Sequence, residues 1–232
     1  MTPHHLGVIL DGGTRWADAN GTSAAEAYRR SCVKQLEVVG WCRTEGVAEV
    51  TLFVPPPSAS LSDEQMDAVW SQVLDGLRQS RSGAPAATLK HIGDPAQLPA
   101  GLAAKLRSCA ERATTDGSGF TVNLVLGYEG RGEILGALRS ILLAARDEGR
   151  SLAETISRLD TEQLGANLST GALPPLDLVI RTAGHRHLSG FLPWHAAYAE
   201  YHFTAACAPE FTWGDLTAAL ADYSRRNRRF GK

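Results

Sequence analysis

The chain has 232 residues, of which 44% are hydrophobic and 21% are charged, with 23 Lys plus Arg against 25 Asp plus Glu. These fractions are typical of a globular protein and disfavour a disordered, collagen-like or coiled-coil chain. The formal net charge of −2 also disfavours a nucleic-acid-binding protein, because phosphate contacts usually require a basic surface.

Short apolar runs alternate along the chain with longer segments of helical periodicity. Cys32, Leu36 and Val39, for example, are spaced as neighbours on one helix face. Six short apolar runs predict strands at residues 6–10, 49–54, 88–92, 120–126, 177–181 and 201–203. Strands separated by helices connect through right-handed crossovers into a parallel sheet. The predicted fold is therefore α/β, a single domain over residues 1–232 with a mainly parallel six-stranded sheet flanked by helices.

Cysteine usage and hydropathy indicate the cellular compartment. The cysteines are scattered and form no CxxC pair, which favours reduced thiols at Cys32, Cys42, Cys109 and Cys207. No apolar run approaches the ~20 residues that span a bilayer, and the N-terminus lacks the pattern of a signal peptide. We therefore expect a cytoplasmic protein without a transmembrane segment.

The loop after the first predicted strand combines a carboxylate, glycines and an arginine. It reads Asp11-Gly12-Gly13-Thr14-Arg15-Trp16. Glycines allow a close approach of the backbone to an anion, and a following helix N-terminus directs free N–H groups at it. A phosphate would repel Asp11 unless a divalent cation such as Mg²⁺ bridged them. The alternative is an ordinary strand-to-helix turn with Asp11 as the N-cap.

The loop after the fifth predicted strand is rich in basic side chains. Arg181, His185, Arg186, His187 and Ser189 follow a buried strand within nine residues. This composition favours an anion-binding loop over a solvated polar turn. Because ligands of parallel sheets bind beyond the carboxyl ends of the strands, we expect both loops to converge on one crevice.

Two further features have both structural and functional interpretations. Glu200 lies among aromatic residues, where a carboxylate needs a partner such as a metal ion. The arginines near the C-terminus form either a solvated tail or a basic arm that reaches an anion in another subunit: Arg225, Arg226, Arg228 and Arg229. The sequence has no GxSxG or HExxH motif. An anion clamp with a metal suits the departure of a diphosphate.

Six segments in a fixed order resemble the cis-prenyltransferases, the family of undecaprenyl diphosphate synthase. They are residues 5–12 (HLGVILDG) with 15–17 (RWA), 92–94 (IGD), 123–131 (NLVLGYEGR), 177–182 (DLVIRT), 197–203 (AYAEYHF) and 228–231 (RRFG). The resemblance extends over almost the whole chain. It implies a Mg²⁺-dependent enzyme that joins prenyl diphosphates.

The resemblance also implies roles for individual residues. Asp11 would hold Mg²⁺ and assist ionisation of an allylic diphosphate, with Glu200 as a second metal ligand. The allylic diphosphate would be bound by Gly12, Gly13, Thr14, Arg15 and Trp16, and the diphosphate of the second substrate by Arg181, His187 and Ser189. Of these, Asp11, Arg15 and His187 are the predicted catalytic residues. Arg229 and Gly231 would complete the site of a partner subunit, which implies a homodimer.

Departures from the family pattern leave three interpretations. Gly13 replaces the usual Asn, and 55–60 (PPPSAS) replaces a Ser-x-Glu-Asn-Trp motif that serves the acceptor. The favoured hypothesis is a head-to-middle condensation of two dimethylallyl diphosphates followed by cyclisation, similar to cyclolavandulyl diphosphate synthase. The alternatives are ordinary Z-chain elongation with isopentenyl diphosphate, and a non-catalytic subunit of a heteromeric synthase. Candidate groups for proton transfer are His5, Tyr128, His185 and His187.

Overall fold

The structure, a computed structural model, describes residues 1–53, 61–78, 87–111 and 119–226. Its six strands are β1 (His5–Ile9), β2 (Glu49–Phe53), β3 (Thr88–Ile92), β4 (Thr121–Val125), β5 (Leu178–Arg181) and β6 (Glu200–Phe203). All pairs are parallel, in the order β3-β4-β2-β1-β5-β6. The predicted fold class is therefore confirmed, and each predicted strand is found within about two residues of its expected bounds.

Eight α-helices connect and follow the strands in the described residues. They are α1 (Gly13–Asn20), α2 (Ala24–Thr44), α3 (Asp63–Arg78), α4 (Ala100–Glu111), α5 (Gly130–Asp147), α6 (Leu152–Arg158), α7 (Thr161–Ala166) and α8 (Trp213–Arg225). Side-chain caps explain where several of them begin, because a cap oxygen accepts from an otherwise unpaired N–H group. Ser23 caps α2, Glu129 caps α5, and Thr212 forms a capping box with Asp215 at α8.

Strand residues alternate between two buried layers. Leu6, Val8 and Leu10 pack on one face of the sheet in a cluster that includes side chains of α2, α3 and α8. Ile9 points to the other face, where it meets Phe191 and neighbouring residues. Burial on both faces explains why the strand sequences are continuously apolar. Much of the second face is covered by the connection between β5 and β6, which contains no helix, although the sequence predicted helical connections.

Three cysteines of the described residues have free thiols. Cys32 and Cys42 are buried and free, and Cys207 is free and partly exposed. No helix among the described residues has the length and apolar character required to cross a membrane.

The lowered pKa values of three histidines predict how the free energy of unfolding depends on pH. Burial lowers the pKa of His5, His91 and His195 below the ordinary value of 6.5. The unfolded chain therefore binds more protons, so the free energy of unfolding falls as the pH drops below about 6.5, by up to ~1.4 kcal/mol per pH unit for each histidine. Glu26, with a pKa of about 2, contributes only below about pH 4.5.

Urea unfolding between pH 7.5 and 5 measures this effect. The slope should be shallower for His5→Gln, because one titrating group is removed. A free energy of unfolding that stays constant over this range would contradict the prediction.

Candidate active site

The two predicted anion-binding loops meet at one edge of the sheet. β1 and β5 are neighbours with Ile9 opposite Arg181, so both loops leave the sheet side by side. The Asp11 amide donates to Thr182 Oγ1 at 2.7 Å, and that hydroxyl lies 2.8 Å from the Asp11 carbonyl oxygen. These hydrogen bonds join the loops directly and confirm the predicted convergence.

A buried ion pair lies at the centre of this edge. Arg181 Nη2 is 2.8 Å from Asp11 Oδ2, and the arginine is only 1% exposed, whereas the Asp11 side chain is 25% exposed. Arg181 Nη1 also donates to Ser189 Oγ at 2.9 Å and to the His187 carbonyl oxygen. Its Nε is buried without a hydrogen-bond acceptor in the described part of the chain. The guanidinium is thus held in one orientation by partners from both loops.

The N-terminus of α1 forms the second positive element of the site. The helix begins at Gly13, and no side chain caps it at Gly12. The positive end of its dipole therefore favours an anion at this position. Arg15 donates to the Ala183 carbonyl oxygen, which places its guanidinium between the two loops. Thr14 and Arg15 are exposed at this end of the helix.

Trp16 is a buried residue of α1. It is 9% exposed, and its indole N–H donates to Glu210 at 3.1 Å. The Arg30 guanidinium lies 5.1 Å from the centre of its ring. These contacts fix α1 against its neighbours, so Trp16 stabilises the position of the helix that begins in the first loop.

Gly12 is required by the backbone geometry of the first loop. Its φ is +94°, and an added Cβ would come within 2.7 Å of Ala183 Cβ and 3.0 Å of Cys207 Sγ. We expect Gly12→Ala to lower the free energy of unfolding by about 2–4 kcal/mol and to impair activity. Gly21→Ala, also at positive φ but with open space around it, should cost about 1 kcal/mol in urea unfolding. Equal effects of the two variants would contradict the steric explanation.

Of the four proton-transfer candidates, His185 and His187 lie beside Asp11 and Ser189. His185 Nε2 is 3.8 Å from Asp11 Oδ2, and His187 Nδ1 is 3.2 Å from Ser189 Oγ. The two imidazole rings lie 5.4 Å apart. His5 is at the opposite end of β1, fully buried between Thr51 and the Pro174 carbonyl.

Tyr128 is the fourth candidate for proton transfer. Its hydroxyl donates to Glu133 at 2.7 Å, and burial raises its pKa above the ordinary value. A tyrosine in this environment keeps its proton and its hydrogen bond at neutral pH. His185 and His187 are the two candidates whose imidazole rings lie beside Asp11 and Ser189.

Glu200 is not brought to Asp11 within one chain. In the register of the sheet, Glu200 pairs with Leu178, and Leu178 pairs with Leu6. Asp11 follows Leu6 by five residues, so Glu200 lies about 16 Å before Asp11 along the strand direction. Its carboxylate accepts instead from Arg226 Nη1 at 2.8 Å. Asp11 and Glu200, the two predicted metal ligands, are therefore not neighbours within one chain, because parallel strands place their beginnings and ends at opposite edges.

Other sequence predictions concern residues without a structural description. Arg229 and Gly231 follow the last described residue, and the segment 55–60 lies between β2 and α3 outside the described ranges. Thr182 and the Ala183 carbonyl, by contrast, contribute to the site without having been singled out by sequence. The signal for them was their position directly after a buried strand.

Comparisons with known proteins identify the family. A family model described as "Putative undecaprenyl diphosphate synthase" matches residues 9–231. This chain belongs to the cis-prenyltransferase family. The prenyltransferase is 37% identical to isoprenyl transferase 1 of Streptomyces avermitilis, over 100% of this chain and 90% of the relative. It is 35% identical to (2Z,6E)-farnesyl diphosphate synthase of Mycolicibacterium smegmatis, over 99% of this chain and 88% of the relative.

Among solved structures, the prenyltransferase is similar to lavandulyl diphosphate synthase from Lavandula x intermedia in complex with dimethylallyl diphosphate. The TM-score is 0.88 at 25% identity, covering 100% of this chain and 99% of the other. The whole domain therefore has the fold of a prenyl diphosphate synthase.

Proposed function

We propose that this prenyltransferase condenses an allylic diphosphate with isopentenyl diphosphate and makes a short Z-prenyl diphosphate. The carbon–oxygen bond of the allylic substrate breaks, diphosphate leaves, a carbon–carbon bond forms to the acceptor, and the acceptor loses a proton. The observation that carries the proposal is the contact between two anion-binding loops through Asp11 and Arg181. The similarity to a Z-farnesyl diphosphate synthase favours this reaction over the predicted head-to-middle condensation.

The two positive elements of the cleft receive one diphosphate each. The uncapped end of α1 and Arg15 hold the allylic diphosphate, while Arg181 and Ser189 hold that of the acceptor. Since both elements contact Asp11 or Ala183, the two substrates lie next to each other. Backbone N–H groups and guanidinium groups already oriented toward the leaving oxygens stabilise the charge that develops there. His187, beside Ser189, is the imidazole proposed to take part in proton transfer.

Asp11 is the residue proposed to hold Mg²⁺. No cluster of three or more His, Cys, Asp or Glu side chains suited to a metal occurs in the described ranges. One carboxylate is nevertheless a sufficient protein ligand for Mg²⁺, which takes its remaining ligands from substrate phosphates and water. The partly exposed Asp11 carboxylate, beside both anion-binding elements, fits that requirement. When bound, the ion neutralises negative charge on the leaving diphosphate.

Exposed apolar side chains support the proposed homodimer. Leu135, Leu142 and Leu143 on α5 are 42–50% exposed, and Leu152 and Ile156 on α6 are 62–67% exposed. Clusters of exposed apolar residues are typical of protein–protein interfaces. In the proposed homodimer, Arg229 and Gly231 complete the site of the partner subunit.

Head-to-middle condensation of two dimethylallyl diphosphates, with subsequent cyclisation, is the second candidate. The structural similarity to a lavandulyl diphosphate synthase in complex with dimethylallyl diphosphate favours it. His187, where the family pattern has a second arginine, further distinguishes the acceptor loop of this chain.

Product analysis separates the two candidates. Purified protein with Mg²⁺ is incubated with dimethylallyl diphosphate alone and together with isopentenyl diphosphate, and the dephosphorylated products are identified by gas chromatography and mass spectrometry. Linear Z-prenyl alcohols formed only in the presence of isopentenyl diphosphate are expected. A branched or cyclic alcohol from dimethylallyl diphosphate alone would establish the second candidate instead. Absence of turnover with any allylic diphosphate, longer E-allylic diphosphates included, would support a non-catalytic subunit.

A further inference from the structure

Thr182 carries a fully buried hydroxyl group between the two loops of the cleft. It directly follows β5 and has none of its surface exposed. Its amide donates to the Ile9 carbonyl oxygen at 3.1 Å, which extends the ladder between β1 and β5 beyond the strand end. The next hydrogen bond is made by the side chain, because the Asp11 amide donates to Thr182 Oγ1 at 2.7 Å. The hydroxyl thus takes the place that a main-chain carbonyl oxygen holds in a regular parallel ladder.

The main chain of Asp11 is held on both sides by this hydroxyl. Thr182 Oγ1 also lies 2.8 Å from the Asp11 carbonyl oxygen, and a hydroxyl can accept from an amide and donate to a carbonyl at the same time. The carbonyl oxygen accepts in addition from the Ala208 amide at 2.8 Å. Removal of the hydroxyl would therefore leave the carbonyl a partner but would take the acceptor from the amide. Such a loss favours a displaced main chain in which the amide finds another acceptor.

The direction of the Asp11 carboxylate follows from the position of its main chain. Oδ1 accepts from the Gly12 amide at 2.6 Å, and Oδ2 accepts from Arg181 Nη2 at 2.8 Å. Gly12 moves with the first loop, whereas Arg181 belongs to β5. The carboxylate keeps both contacts only while the loop is held in register with the strand, and the Thr182 hydroxyl makes that connection.

Ala183 shows why a side chain is needed at this point. Its φ is +67°, in the left-handed region that residues other than glycine rarely adopt. Its amide donates to the Ala206 carbonyl oxygen at 2.7 Å, and its carbonyl oxygen accepts from Arg15. The main chain thus leaves the ladder with β1 directly after Thr182, so the Thr182 hydroxyl continues the connection to Asp11.

We propose that Thr182 is a positioning residue that sets the place of the Asp11 carboxylate in the cleft. The inference rests on the proposed function, in which Asp11 holds the Mg²⁺ that accompanies the allylic diphosphate. Mg²⁺ requires near-ideal octahedral geometry, so a carboxylate ligand must be accurately placed. Misplacement of a group in an active site by about 1 Å can lower a rate by about a hundredfold. Thr182 is buried and acts through Asp11.

Paired substitutions isolate the contribution of the hydroxyl. Thr182→Val keeps the shape of the side chain, and Thr182→Ser keeps the hydroxyl. Calorimetry measures binding of the unreactive thiolo analogue of dimethylallyl diphosphate with and without Mg²⁺. In Thr182→Val, the gain in affinity that Mg²⁺ confers should fall about tenfold, and kcat should fall about 10- to 100-fold. Affinity without Mg²⁺ should be retained, because α1 and Arg15 are unchanged, and Thr182→Ser should behave as the wild type.

Thr51→Val is the matched control. Thr51 is also fully buried, and its Oγ1 lies 2.7 Å from His5 Nε2 and 2.9 Å from Asn123 Nδ2 within the sheet. Both valine variants should lower the melting temperature by a few degrees, but only Thr182→Val should change the dependence on Mg²⁺. If Thr182→Val does not fold, Thr182→Ser and Thr182→Ala give the comparison, since these two variants differ only by the hydroxyl.

Three results would overturn the proposal. They are equal effects of Thr182→Val and Thr51→Val on the Mg²⁺ dependence, a folded Thr182→Val variant that binds as the wild type does, and a Thr182→Ser variant as impaired as Thr182→Val. The last result would assign the effect to the methyl group. A wild-type protein that binds the analogue but does not use isopentenyl diphosphate would refute the proposed reaction and leave the binding comparison for Thr182 valid.

Discussion

Replacing Asp11 by Asn is expected to lower kcat by about a thousandfold. Asp11 is the carboxylate that contacts Arg181 at 2.8 Å and that lies next to the uncapped end of α1. The amide keeps the size of the side chain, but it cannot supply the negative charge that a Mg²⁺–diphosphate complex requires. The affinity for the allylic diphosphate without Mg²⁺ should change much less than kcat.

Steady-state kinetics at several Mg²⁺ concentrations measure this effect, and the matched control is Asp18→Asn on the exposed side of α1. Thermal unfolding of both variants should show a folded protein, with a loss of about 3 kcal/mol in the free energy of unfolding for Asp11→Asn because Arg181 loses its counter-charge. Activity of Asp11→Asn within a few-fold of wild type would refute the assigned role.

Replacing Arg181 by Met is expected to lower kcat/KM for the acceptor by about 10²- to 10³-fold. Arg181 is 1% exposed and holds Asp11, Ser189 and the His187 carbonyl in one arrangement. Methionine has a similar length and no buried donors, so the fold should be retained. The loss should appear mainly in the KM of the second substrate, since Arg15 and α1 remain to bind the first.

Arg186→Met provides the control for this substitution. Arg186 lies in the same loop, but it is exposed. Loss of one exposed positive charge should change kcat/KM by only about twofold at physiological salt. Equal losses in the two variants would show that the general charge of the loop, and not the geometry of Arg181, binds the acceptor.

Strand positions were predictable because local patterns identify them. β1 and β5 are buried on both faces, and such strands are continuously apolar over a few residues. The loops after these strands were predictable for a related reason: parallel strands end at one edge, so Asp11 and Arg181 had to lie near each other.

The environment of single side chains was less predictable. Glu200, a predicted metal ligand, accepts from Arg226, which directly follows α8, a contact that no local pattern encodes. Trp16, a predicted substrate-binding residue, donates to Glu210, far along the chain, a contact that its local sequence does not indicate. His5, a candidate for proton transfer, lies at the end of β1 opposite to Asp11, where its ring is hydrogen-bonded to Thr51 and to the Pro174 carbonyl oxygen.

Local composition alone thus determined which segments form strands and where the glycine-rich and basic loops lie, because apolar periodicity and glycine placement act within a few residues. The register of the sheet decided which of the candidate residues share a cleft, since it depends on packing between segments distant in sequence. Only that packing pairs Arg181 with Asp11, directs Glu200 to Arg226, and places the Thr182 hydroxyl against the main chain of Asp11.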